Sequence, residues 1–197
     1  MKKFQLLMLV LCASLSVLAQ GGDPAFSSTH RSTTIFYGVS NLFRGGAYAK
    51  DVGKGSSFTA GPVSFIGNKG ISNSLSFHWG PSFMYYQYKY SYSYDGTTDA
   101  GKVNLVFGGL NFGVAYHVTA TDKLDPYLGV SAGAGYYYDL NGNNDDNSYS
   151  LGGSVPLLYG VKVGVNAYDK RENAWTFELG YDYLSYLKVG YTFVRSK

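Results

Sequence analysis

From Leu128 to Tyr138 the chain alternates without a break: Leu128, Val130, Ala132, Ala134, Tyr136 and Tyr138 on one face, Gly129, Ser131, Gly133, Gly135 and Tyr137 on the other. A strand sends successive side chains to opposite faces, so a period of two marks a strand. Leu157, Tyr159, Val161, Val163 and Val165 stand in the same way against Leu158, Gly160, Lys162, Gly164 and Asn166. Trp175, Phe177, Leu179, Tyr181 and Tyr183 oppose Thr176, Glu178, Gly180 and Asp182; after a reversal near Leu184 and Ser185, Leu187, Val189, Tyr191 and Phe193 oppose Lys188, Gly190 and Thr192. One face is bulky and apolar, the other nearly bare. In a soluble sandwich or a lipocalin-like binder, the architectural alternative, the apolar face points inward and the other meets water. A water-facing surface has no reason to be stripped of side chains, whereas the interior of a narrow barrel does. The pattern is therefore inverted, with bulky apolar residues in lipid and glycine, serine and a few charges inside.

Strands are expected near 33 to 42, 58 to 67, 73 to 93, 102 to 118, 126 to 139, 151 to 167, 174 to 183 and 186 to 194. Ile35, Tyr37 and Val39 form the outer face of the first, Leu75, Phe77, Trp79, Pro81, Phe83 and Tyr85 that of the third, and Leu110, Phe112, Val114, Tyr116 and Val118 that of the fourth. The second, around Phe58 to Gly67, alternates poorly, and the fourth changes phase near Gly108 and Gly109, where a bulge is expected. An even number of strands suits a single-chain barrel with both ends on one side. The expected fold is all-β: an eight-stranded antiparallel up-and-down transmembrane β-barrel.

Residues 1–19 read as a signal peptide, with Lys2 and Lys3, an apolar run from Phe4 to Leu11 and small residues up to Ala19. The run is shorter than the roughly 20 residues of a membrane helix. Residues 20–32 are then a periplasmic N-terminal segment and 33–197 the outer-membrane barrel. Cys12 is the only cysteine and lies in the signal peptide behind Leu11, which argues against lipidation and leaves the mature chain without thiol chemistry. His30, His78 and His117 lack ligand spacing, so neither metal nor cofactor is expected. Without Lys2 and Lys3 the balance is 14 basic against 13 acidic residues, which gives no electrostatic case for nucleic acid.

The connections after strands two, four and six (Asn68 to Ser72, Thr119 to Asp125, Tyr168 to Asn173) carry turn residues and charges, while those after one, three and five are mostly longer, including Asn141 to Ser150. In outer-membrane barrels the longer loops lie outside the cell. Tyr85, Tyr86, Tyr88, Tyr90, Tyr92 and Tyr94 crowd the outer end of strand three, with Tyr136 to Tyr138 on strand five. Such rings favour the membrane–water boundary.

With these features the chain resembles the small outer-membrane barrels typified by outer membrane protein X and the transmembrane domain of outer membrane protein A. Ala115-Tyr116-His117-Val118, Pro126-Tyr127-Leu128-Gly129 and Phe177-Glu178-Leu179-Gly180-Tyr181 look like stretches of the porin-family barrels common in Bacteroidetes-type bacteria. In the last strand Lys188, Gly190 and Phe193 are similar to the family's assembly signal, which implies recognition by the barrel-assembly machinery; Arg195 and a short tail replace the usual terminal aromatic.

Glu178 is the most informative charge. A turn centred near Lys170 places Lys162 opposite it, with Lys188 arriving from the last strand, so an inward ion-pair network of Lys162, Glu178 and Lys188 is expected to plug the lumen. His78 and His117 share an inward parity and are expected to hydrogen bond within the plug, with Asn166 as a further polar lumen residue. His30 with Ser27, Ser28 and Ser32 is the only local Ser/His cluster, and no matching acid or oxyanion motif follows it. The reading that results is a non-enzymatic outer-membrane protein in contact with outer-membrane lipid, with a structural role or a surface protein partner met by the Tyr-rich edge of strand three. The alternatives are a narrow channel past Lys162, Glu178 and Lys188, and a lipid-modifying enzyme.

Overall fold

The structure, a computed structural model, describes residues 25–40, 54–94, 97–118, 121–140, 153–169, 173–182 and 184–195. The expected signal peptide, Cys12 and the Asn141 to Ser150 stretch lie outside the described residues, as do the side chains of Tyr90, Tyr92 and Tyr94. Eight strands follow in order: β1 (Arg31–Ser40), β2 (Lys54–Gly70), β3 (Leu75–Tyr94), β4 (Thr97–His117), β5 (Leu124–Asp139), β6 (Gly153–Asp169), β7 (Asn173–Asp182) and β8 (Ser185–Val194). Each is antiparallel to its neighbours, and β1 pairs with β8 to close the barrel. The eight-stranded up-and-down barrel expected from the alternation is the fold.

The apolar face points outward. Val161 is 61% exposed and Leu179 59%, whereas Thr176, one residue from Phe177, is 1% exposed. The bare face is needed inside: a Cβ on Gly164 would overlap the ring of Tyr127, and one on Gly113 would sit 2.5 Å from His78 Nε2. Glycine at these positions makes room for large inward side chains from the neighbouring strands.

Three expectations about the strands are corrected. First, β2 and β4 run to 17 and 21 residues, well beyond 58 to 67 and 102 to 118, because the β2–β3–β4 sheet continues past the other strands, from Lys54↔Ser91 to Tyr94↔Thr97. The ladder satisfies backbone N–H and C=O groups whatever the side chains do, so the strands outlast their alternation. Second, the phase change near Gly108 and Gly109 is not a bulge, since the register is continuous there with both β3 and β5. The apolar residues instead change sides, with Leu105 and Phe107 pointing inward and Leu110 outward. The irregularity of β2 falls between Ala60 and Val63, where Gly61 adopts φ +92° and Pro62 offers no N–H. Third, β3 is not the edge strand that was expected: it is bonded to β2 as far as Ser91 and to β4 as far as Tyr94.

The barrel has a turn end, where β2 joins β3 through residues 71–74, and an opposite loop end. Its interior changes character between the two. Toward the loop end Met84, Phe107, Leu158 and Leu184 form a buried apolar cluster against Tyr137. Toward the turn end the buried polar residues include Ser32, Thr34, Ser76, His117, Asp125, Asn166, Thr176 and Thr192, with Phe26, Ala115, Tyr168 and Ala174 buried among them.

Candidate functional site

The turn-end residues form one hydrogen-bonded belt. Thr34 Oγ1 lies 2.7 Å from Thr192 Oγ1, which lies 2.6 Å from Thr176 Oγ1. Thr176 donates to Asn166 Oδ1 at 2.8 Å, and Asn166 Nδ2 donates to Asp125 Oδ2 at 2.9 Å. His117 Nδ1 meets both oxygens of Asp125 at 2.8 and 3.0 Å, and its Nε2 lies 2.9 Å from Ser76 Oγ. Seven of the eight strands, all but β2, contribute one side chain each.

A hydroxyl has one proton, and this gives the belt a direction. Thr176 donates to Asn166, so it accepts from Thr192, which in turn accepts from Thr34. An ionised carboxylate only accepts, so His117 Nδ1–H donates to Asp125, and in the neutral ring Nε2 accepts from Ser76. Both arms converge on Asp125, which is buried on β5.

One level nearer the loop end lie the ion pairs. Lys162 Nζ is 2.6 Å from Glu178 Oε1, which also accepts from the Tyr127 hydroxyl at 2.7 Å. The expected register is corrected here. Gly164, not Lys162, stands opposite Glu178, and Lys162 faces Gly180, because the turn centres on residue 171 rather than Lys170. The lysine stem reaches diagonally across the two-residue offset. Lys188 does stand opposite Glu178, yet its ammonium pairs with Asp182, farther along the inward face of β7. The single network of Lys162, Glu178 and Lys188 is thus two pairs, one capped by Tyr127. A carboxylate as buried as Glu178 needs such partners in a low-dielectric interior.

His78 departs from expectation too. It is buried and inward, but among the described residues its Nε2 has no hydrogen-bond partner, and neither does Oδ1 of Asn68, the residue directly across from it on β2. Of the assembly-signal residues, Lys188 and Gly190 face inward and Phe193 faces outward.

Below the belt, residues 25–30 fold across the turn-end mouth. The Phe26 ring stacks on the His117 imidazole with centroids 3.6 Å apart and planes 1° from parallel, and it tilts against His30 at 5.2 Å. Ala25 N–H donates to Thr121 O and Ser28 N–H to Asn73 Oδ1. His30 is 3.2 Å from Ser32 Oγ, while Ser27 Oγ bonds Thr29 Oγ1. Burial holds the His30 imidazole below its usual range, against the opposing pull of Asp125. The segment expected to precede the barrel is in this part its floor.

Sequence reasoning placed His117, Asn166 and Asp182 on the inward face, without the pairing of Asp182, but passed over Ser76, Asp125, Tyr127 and Phe26. The parity of Ser76 with His78, and of Asp125 with Tyr127 and Gly129, was a usable signal. Which inward residues stand at one level was not. The acid sought near His30 is Asp125, and it serves His117.

No family model and no curated protein sequence matches the chain. Among solved structures, the N-terminal β-barrel domain of Pseudomonas aeruginosa OprF is similar over 86% of this chain and 99% of that one, at 12% identity and a TM-score of 0.45. Ail, the attachment invasion locus protein of Yersinia pestis, solved with the heparin analogue sucrose octasulfate, is similar over 84% of this chain and 95% of that one, at 14% identity and a TM-score of 0.36.

Proposed function

We propose that this chain is an integral outer-membrane barrel with a filled lumen, acting as a structural or surface-interaction protein. The observation that carries the reading is the apolar belt: every strand places large apolar side chains outward, among them Tyr37, Phe65, Phe112, Val130, Val161 and Leu179. So much exposed apolar surface is untenable in water and ordinary in a bilayer. Tyr159, Tyr181 and Tyr186, which touch one another across β6, β7 and β8, cluster at the loop-end margin, and Trp175, Tyr191 and Phe193 at the turn-end margin. Aromatic rings at both margins suit the two membrane–water boundaries.

Under this reading the turn end faces the periplasm, and β2, β3 and β4 extend outside the cell beyond their neighbours. That extension is the surface on which a protein partner would dock. The apolar cluster of Met84, Phe107, Leu158 and Leu184 argues against the narrow-channel alternative, because it places side chains where a water path past Lys162 and Glu178 would run.

Membrane fractionation of the expressed protein, with heat-dependent gel migration of the detergent extract, tests the reading. Recovery in the outer membrane with a heat-dependent shift is expected; a soluble periplasmic protein without the shift overturns it. Deleting Tyr88 to Tyr94 is expected to spare insertion and alter surface binding. Planar-bilayer conductance abolished by Glu178→Ala would instead favour the channel.

A further inference from the structure

Ser76, His117 and Asp125 come from three consecutive strands and meet at the turn-end mouth. Ser76 Oγ is 2.9 Å from His117 Nε2, and His117 Nδ1 is 2.8 Å from Asp125 Oδ1. In this order the carboxylate sets the imidazole tautomer, and the ring nitrogen left as acceptor can withdraw the serine proton. Asn166 Nδ2 steadies the far oxygen of Asp125 at 2.9 Å. The other hydroxyls of the belt, Thr34, Thr176 and Thr192, bond hydroxyl to hydroxyl or to an amide. Ser76 alone in the belt is joined to an imidazole backed by an acid.

Ser76 is fully buried, and the N-terminal segment lies against its surroundings. Phe26 stacks face-on on His117 and tilts against His30, while the Ser27 and Ser28 backbone packs on Gly70, the ladder partner of Ser76 on β2. Residues 25–29 lie outside the strand ladder and are tied to the neighbouring turns by the bonds to Thr121 and Asn73. Moving Phe26 therefore requires no interstrand bond to break, and it would leave a flat, ring-sized slot over the His117 imidazole with His30 beside it.

We propose that Ser76 is a latent nucleophile, activated by His117 and Asp125 and masked by Phe26, whose reaction partner is an ester with an apolar group that takes the place of the Phe26 ring. With an acyl ester, Ser76 Oγ forms a bond to the acyl carbon and its proton passes to His117 Nε2. The carbon–alkoxide bond breaks, and the leaving alkoxide takes that proton from His117, giving acyl-Ser76 and the free alcohol. Ser76 is paired in the ladder with Gly70 on one side and Ala115 on the other, so adjacent N–H groups serve strand bonds and are not aimed at an oxyanion. The expected reactivity is accordingly stoichiometric modification with little turnover.

The test uses the full mature chain folded in detergent, with a reporter-tagged alkyl fluorophosphonate as the probe and peptide mapping to find the modified residue. In that reaction the Oγ–P bond forms, the P–F bond breaks, and fluoride leaves with the proton relayed by His117. Because the barrel is already folded in detergent, the outcome is independent of membrane location. Phe26→Ala is expected to be labelled at Ser76 at least about tenfold faster than wild type, with labelling lost in Phe26→Ala/Ser76→Ala and reduced in Phe26→Ala/His117→Asn. Equal rates in wild type and a folded Phe26→Ala, or label that persists without Ser76, would overturn the proposal. So would failure of both Phe26→Ala and Phe26→Ser to give the heat-modifiable form, because a mask must be dispensable to the barrel beneath it.

Discussion

The two halves of the lumen are filled by opposite means. The turn-end half is polar, and every member of its belt depends on the identity of the next, since each proton has one place to go. The loop-end half is organised around an apolar cluster in which Met84, Phe107, Leu158 and Leu184 meet through contacts without direction, with the buried Ser64–Ser82 pair at its edge. Directional bonds fix which strands lie side by side at a given level. Apolar packing asks only for volume. The polar half should therefore resist conservative changes of chemistry, and the apolar half changes of size.

The sharpest break comes at the boundary between the halves. Glu178→Ala leaves Lys162 buried without its carboxylate, and urea unfolding of the folded barrel should show a loss of roughly 3–5 kcal/mol. The double variant with Lys162→Met should recover most of it, and a double-mutant cycle showing no coupling would refute the pairing. In the apolar half, Phe107→Ala should cost about 3–5 kcal/mol by opening a cavity, whereas Phe107→Met should cost less than about 1.5 kcal/mol because it nearly conserves volume. If the two substitutions cost the same, the loop-end cluster is not packed as described.

In the belt, Asp125→Leu strands the donors on His117 and Asn166, and each buried unsatisfied group costs about 1–3 kcal/mol. Here similar volume should not rescue, in contrast to Phe107→Met, and a cost below that of Phe107→Met would erase the distinction between the halves. The smallest effect concerns the floor. His30 has its folded pKa lowered by burial, so the unfolded or undocked chain binds the proton more readily. Docking of residues 25–30 is then fully supported above the ordinary histidine value of about 6.5 and weakens as pH falls below it. Protease cleavage within the segment should be faster at pH 5 than at pH 8, and His30→Phe should remove the difference.

Much of the barrel could be read from alternation alone. Trp175 to Asp182 and Leu187 to Phe193 announce both the strands and the face that points out of the barrel. The same rule misled at Gly108 and Gly109, where a change of phase suggested a bulge and in fact marks apolar side chains leaving the outer face to fill the lumen. Lys162 and Glu178 were legible as inward charges, but their offset was not, because a one-residue shift in the centre of a turn moves the facing residue by two. Phe26 was invisible: an isolated aromatic before the first strand carries no periodicity, and its role exists only because the mouth it covers is built from three distant strands.

The sequence by itself determined the number of strands and, along the stretches that alternate cleanly, the face each side chain takes, because a period of two is a local property of the backbone and needs no partner. Only the tertiary structure decided which inward residues share a level: that Ser76, His117 and Asp125 form a relay, that Lys188 turns to Asp182, and that Leu105 and Phe107 close the loop end. Levels follow from register and from the stagger of a closed sheet, and these are settled by all eight strands at once rather than by any one of them.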